Sequence, residues 1–248
     1  MLCGGTVARF WRRNKHDKCQ DHAQAAADRH QGCAQADTDQ GVARGEAVRQ
    51  NTSHAVMAQR HEARDSLDDF PTPPWATRAL MVHVIGDCWR RETCLEPACG
   101  RGYMAEPLLG YFGKVIASDI SDYGYGEVED FLCGDLPKVS WIITNPPFRL
   151  ALEFADYALG RASIGVAIFA RLQFIESVKR HAFFEKHPLA YLAPFAERVP
   201  LVKGRVDPKA SSATAYAWFV WNWAYDGPPL LRIIPPCRKQ LERDSDYD

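Results

Sequence analysis

The chain has 248 residues, 46% of them hydrophobic and 25% charged, with seven Trp, twelve Phe and a formal net charge of −1. That apolar content supplies a sizeable core, enough for one large α/β domain or two small ones, and marks a globular protein. No stretch approaches about 18 consecutive apolar residues, and Met1-Leu2-Cys3-Gly4-Gly5 lacks a charged segment followed by a long apolar one, so neither membrane insertion nor export is indicated.

Residues 1–65 are rich in Gln, Ala, His, Arg and Asp, and no apolar period survives more than a turn, so a poorly ordered extension is expected there. His16, Cys19, His22, His30 and Cys33 fall at short spacings but match no standard zinc-finger pattern, and no metal is assigned. Met57 is an alternative start, with the upstream stretch a leader or an over-extended reading. The eight cysteines form no Cys-x-x-Cys pair, which predicts free thiols and a cytoplasmic protein.

From residue 66 the chain alternates between strand-like and helix-like segments. Phe70-Pro71-Thr72-Pro73-Pro74 leads into a helical stretch from Trp75 to about Asp87. Short apolar runs follow at Thr93–Glu96, Lys114–Ser118, Val128–Leu132, Trp141–Thr144, Ile164–Ala170, Leu189–Phe195 and Ala215–Trp221, with helix-forming segments Leu150–Arg161 and Glu176–Lys186 between. This pattern predicts a Rossmann-like α/β domain over residues 66–225, with about seven mostly parallel strands and helices on both faces. Residues 226–248 are Pro-rich and charged and read as a loose C-terminal tail.

Ligand-type residues recur at the carboxyl ends of the predicted strands, where open α/β sheets bind their ligands. After the first strand comes Glu96-Pro97-Ala98-Cys99-Gly100-Arg101-Gly102, whose two glycines let the backbone approach a ligand closely. After the second comes Ser118-Asp119-Ile120, with a carboxylate 17 residues past Gly102, about where nucleotide-binding folds place the acid that holds ribose hydroxyls. The third ends at Asp130-Phe131, a carboxylate for an adenine amino proton and a ring to pack on the base; Asp135 is a rival. The third glycine of a dinucleotide site is replaced by Ala105, and no phosphate-cradling Lys-Ser/Thr loop is present. A cofactor with adenosine but no diphosphate, such as S-adenosylmethionine, suits the loop better.

The fourth strand ends in Asn145-Pro146-Pro147-Phe148. Two prolines fix the turn and bias Asn145 toward extended backbone. The Asn145 side-chain oxygen and the Pro146 carbonyl can accept both hydrogens of one amine, and Phe148 offers a face for a flat ring. Such a turn suits methylation of a planar amine. Charge is uneven around it: residues 66–170 carry 8 Lys+Arg against 14 Asp+Glu, but residues 171–209 carry 8 against 4, so the later segment is the one able to face phosphates.

Taken in order and spacing, these segments and the late run Ala217-Trp218-Phe219-Val220-Trp221 resemble the class I S-adenosylmethionine-dependent methyltransferases, and more narrowly the small phage-type adenine-N6 DNA methyltransferases. The resemblance covers residues 67 to about 223. It implies a sheet with one antiparallel strand near its edge, Thr72 near the methionine end of S-adenosylmethionine, Glu96 to Gly102 (Pro97, Ala98 and Gly100 included) wrapping it, Asp119 and Ile120 at the ribose, and Asp130 with Phe131 at the adenine. Asn145, Pro146, Pro147 and Phe148 would hold a flipped adenine of DNA. Only about 25 residues follow the last predicted strand, so a separate target-recognition domain is not expected, and readout would fall to insertions such as Arg171 to Arg180 and Gly204 to Thr214. The same turn would serve an RNA base or a protein glutamine, and the fold alone would serve a non-catalytic cofactor- and DNA-binding module.

Overall fold

A computed structural model describes residues 68–134 and 137–247. The expectations for residues 1–65, the cysteine–histidine spacings there, Met57 and Asp135 lie outside the described residues. Among the described residues the strands are β1 (Thr93–Glu96), β2 (Lys114–Asp119), β3 (Glu127–Val128), β4 (Val139–Thr144), β5 (Ala162–Arg171), β6 (Tyr191–Pro194), β7 (Tyr216–Asn222) and β8 (Leu230–Leu231). They form one sheet in the order β3-β2-β1-β4-β5-β7-β6-β8. β7 runs antiparallel to both β5 and β6, and the other pairings are parallel.

The central strands are buried on both faces, which is why they read as unbroken apolar runs. On β7, Tyr216, Trp218 and Val220 enter one core layer, and Ala217, Phe219 and Trp221 enter the other. β5 divides in the same way, Ala167 and Phe169 against Val166, Ile168 and Ala170. One layer is closed by α1 (Pro74–Leu80), which contributes Trp75, Ala76, Ala79 and Leu80, and by α2 (Ala105–Leu109), which contributes Leu108. The other is closed by α3 (Ala151–Leu159), through Ala151, Phe154, Ala155 and Ala158, and by α4 (Val178–Lys186), through Phe183.

Local chemistry sets the element ends. Pro74 occupies the first helical turn of α1, where a missing N–H costs nothing. The helical stretch predicted to Asp87 instead loosens into a π-turn at Met81–Ile85 and stops at Gly86. The strand predicted at Val128–Leu132 is only Glu127–Val128. Asp130 ends it by folding back: its Oδ1 accepts from Leu132 N at 2.9 Å, and its carbonyl accepts from Cys133 N and Gly134 N.

Residues 226–247 are not a loose tail. β8 adds to the sheet edge beside β6, Ile234 and Cys237 are buried, and α5 (Arg238–Leu241) leads to a final 3-10 turn, Asp244–Tyr247. There Asp246 makes a bidentate ion pair with Arg78 of α1, Nη1 to Oδ2 at 2.7 Å and Nη2 to Oδ1 at 2.6 Å, and Arg78 also donates to the Leu241 carbonyl. The paired side chains are only 7% and 3% exposed. Pro content concealed this packing, because a charged pair that meets across 168 residues has no local signature. Asp246→Ala would leave the Arg78 guanidinium buried without its counter-charge and should destabilise the fold by about 3–5 kcal/mol in urea unfolding. A loss below about 1 kcal/mol, the scale of an exposed pair, would contradict this packing.

Candidate active site

Strand order reverses between β1 and β4, and the carboxyl ends of β1, β2 and β4 meet there. β1 ends in Glu96, which is 2% exposed. The turn after it holds Gly100 at φ +51° and Gly102 at φ +85°. Gly102 is bracketed by hydrogen bonds, its N–H to the Cys99 carbonyl at 2.8 Å and its carbonyl from Glu106 N at 2.9 Å. A Cβ at Gly102 would strike the Tyr125 ring at 2.6 Å. This glycine is required by both conformation and space.

β2 delivers Asp119. Its Oδ2 accepts from Gly100 N at 2.9 Å and its Oδ1 from Ser121 N at 3.0 Å, so the carboxylate binds the β1 turn to the β2 turn. Each oxygen keeps a further lone pair for a ligand hydroxyl. β4 delivers Asn145, whose Nδ2 donates to the Phe70 carbonyl at 2.8 Å. That bond determines which end of the amide is which, and it leaves Asn145 Oδ1 buried without a partner. Asp68 Oδ2 accepts from Phe148 N at 2.7 Å, so the entry segment Asp68–Thr72 lies across the Asn145–Phe148 turn and is tied to it at two points.

Between these parts is a cleft, partly open to solvent, bounded by the entry segment, Glu96 and the turn after it, Asp119, Ile120 and Tyr123, and Asn145 with Pro147. Among the described residues, three side-chain polar atoms of its lining are buried and without a hydrogen-bond partner: Thr72 Oγ1, Glu96 Oε2 and Asn145 Oδ1. An orphaned buried polar atom costs about 1–3 kcal/mol, and a polar ligand in the cleft could relieve that cost for these three. Burial, and then the neighbouring Asp119 charge, push the Glu96 carboxyl well above the ordinary carboxylate range. A cation placed beside it relieves both penalties. Cys99 also borders the cleft, but burial and the Glu96 and Asp119 charges push its thiol up to about 12, so it is no nucleophile at neutral pH.

Of the residues singled out in the sequence, Thr72, Glu96, Ala98, Gly100, Asp119, Ile120, Asn145 and Pro147 line this cleft. Pro97, Gly102 and Pro146 shape its turns without lining it. Asp130 and Phe131 are not brought to it: Asp130 is exposed, and Phe131 is buried in the core against Phe154 and Tyr157 at ring-centroid distances of 5.0 Å. The early end of β3 accounts for both departures. Phe148 is not an open face either, because the Arg171 guanidinium lies over its ring at 4.3 Å. Residues missed in the sequence are Asp68, Asp69 and Tyr123, while Arg101 belongs to the Glu96–Gly102 turn expected to wrap the cofactor. Asp69 pairs with Arg101 across the cleft at 2.8 Å, and Arg101 lies over the Tyr123 ring. Two adjacent acids ahead of Phe70 were the available signal.

No protein-family model matches the chain, and no curated protein matches it. Solved structures do share its architecture. A type I restriction-modification system methyltransferase subunit from Streptococcus thermophilus aligns with a TM-score of 0.51 at 11% identity, over 72% of this chain and 50% of that one. A modification subunit of a type I restriction enzyme from Vibrio vulnificus YJ016 aligns with a TM-score of 0.50 at 16% identity, over 73% of this chain and 50% of that one. The fold is the Rossmann-like methyltransferase fold. A class I S-adenosylmethionine-dependent methyltransferase from Listeria monocytogenes also aligns, with a TM-score of 0.49 at 13% identity over 77% and 72% of the two chains. This chain spans half the length of the two restriction-system subunits.

A buried acid whose folded-state pKa is raised binds more protons in the folded than in the unfolded chain, so its contribution to stability declines as pH rises through that range. Glu96→Gln should therefore raise the melting temperature of the ligand-free protein, by a margin that grows from about pH 5 to pH 8, and should weaken binding of a cationic ligand. A melting temperature that falls equally at both pH values would contradict this assignment.

Proposed function

We propose that the chain transfers a methyl group from S-adenosylmethionine to the exocyclic N6 amine of adenine in DNA. The observation that carries the proposal is the orientation of Asn145: with Nδ2 committed to Phe70, the side chain presents only an acceptor to the cleft. An amine is the complementary partner. Adenine N6 is a poor nucleophile because its lone pair is delocalised into the ring. Asn145 Oδ1 would accept from one of its hydrogens, free the lone pair by pyramidalisation and stabilise the positive charge that develops on nitrogen. The surplus proton then passes to solvent, and no strong general base is needed.

The donor set fits S-adenosylmethionine. Bound there, it supplies a methyl group made electrophilic by a sulfonium. Asp119 would accept from the ribose hydroxyls, Glu96 and Thr72 would receive the ammonium of the methionine part, and Ile120 and Tyr123 would flank the adenine. Ile120 lines the cleft and is 62% exposed, so its side chain is accessible to a ligand there. DNA as substrate is supported by the resemblance to adenine-N6 enzymes and by Arg171 at the acceptor turn. Lys179 and Arg205, by contrast, are paired with Glu153 and Asp207. In duplex DNA the target is paired and stacked, so the base must leave the helix.

DNA from cells expressing the chain should contain N6-methyladenine, and Asn145→Ala should reduce it by about 100-fold or more, the usual cost of losing one preorganised group at a developing charge. Asp119→Ala should weaken S-adenosylmethionine binding by about 10-fold or more while the circular dichroism stays native. Labelled methyl appearing only in RNA or on protein glutamine would move the proposal to another amine. No transfer to any of the three would overturn it.

A further inference from the structure

Three groups surround the Phe148 ring: Phe70 at 5.6 Å between centroids, Tyr216 at 6.5 Å and the Arg171 guanidinium at 4.3 Å. Tyr216 is buried at the start of β7, in register with Arg171 on β5, and stacks on Phe169 at 5.3 Å with an interplanar angle of 7°. Phe70 is half-buried, and its carbonyl is held by Asn145. Of the three, Arg171 alone is exposed. Its backbone is fixed by the β5–β7 ladder, and the next residue is tied as well, Leu172 N to the Ala215 carbonyl at 2.8 Å. Only its side chain is able to leave.

We propose that Arg171 occupies the place of the target base in the free protein. A guanidinium is planar and cationic, stacks on aromatic rings, and is also suited to phosphate. A base entering the acceptor turn displaces it from Phe148, and the released cation then meets the phosphate of the extruded strand. Arg171 would thereby couple opening of the base site to the presence of a nucleic-acid backbone and disfavour free nucleosides. It is a specificity-determining residue, outside the transfer chemistry. The inference rests on the adenine reading above.

The test measures deoxyadenosine binding by saturation-transfer NMR and duplex oligonucleotide binding against salt, on the full chain and on Arg171→Ala and Arg171→Lys, with S-adenosylmethionine binding as the control for folding. Arg171→Ala should bind deoxyadenosine about two- to five-fold more tightly, the worth of an exposed cation–ring contact removed as competitor. It should bind duplex more weakly, with a log–log salt slope shallower by about 1. Arg171→Lys should keep the wild-type salt slope. Unchanged or weaker deoxyadenosine binding by Arg171→Ala, with the wild type binding measurably, would overturn the role of Arg171 alone. If neither protein binds deoxyadenosine while both bind S-adenosylmethionine, the adenine reading falls and this inference falls with it.

Discussion

The hydrogen bond from Asn145 Nδ2 to the Phe70 carbonyl orders the whole cleft. An asparagine at a strand end has no intrinsic preference for which atom it shows to a ligand, and this bond removes the choice. It also draws the entry segment over the carboxyl ends of β1 and β4, where Asp68 fixes it again through Phe148 N. Thr72 is thereby brought to the same cleft as Glu96 and Asp119. Without that tie the residues would share a fold but not a site.

The site is costly to build. Glu96 is buried beside another carboxylate, and Thr72, Glu96 and Asn145 each leave a polar atom unpartnered. Penalties of this kind persist only where the surrounding structure over-determines them. Here the support is a sheet buried on both faces, with β5 and β7 sending alternate side chains into two core layers. The C-terminal segment adds the buried Arg78–Asp246 pair, which fastens α1 directly behind the entry segment.

What could be read in advance follows from the range of each interaction. The central strands and the turn after β4 were legible because their signals are local: continuous apolar runs for a doubly covered sheet, and two prolines after an asparagine for a fixed turn. The end of β3 was misread because the Asp130 turn competes with strand pairing over only a few residues, and Phe131, apolar and aromatic, suits a strand as well as a core position. The packing of residues 226–247 and the Asp69–Arg101 pair depend on contacts between distant parts of the chain, and neither leaves a pattern within a window of sequence. Arg171 was visible as a cation and not as a neighbour of Phe148.

The expectation of an open aromatic face at Phe148 gives way to one covered by the Arg171 guanidinium, 4.3 Å from the ring centroid. The central claim remains that the Asn145 acceptor meets an exocyclic amine. A crystal structure of the protein with S-adenosylhomocysteine and an adenine-containing oligonucleotide tests it most directly. The account predicts adenine N6 within about 2.7–3.2 Å of Asn145 Oδ1, with Nδ2 still on Phe70. An adenine bound elsewhere, or an Asn145 amide turned to offer Nδ2 to the ligand, would contradict it.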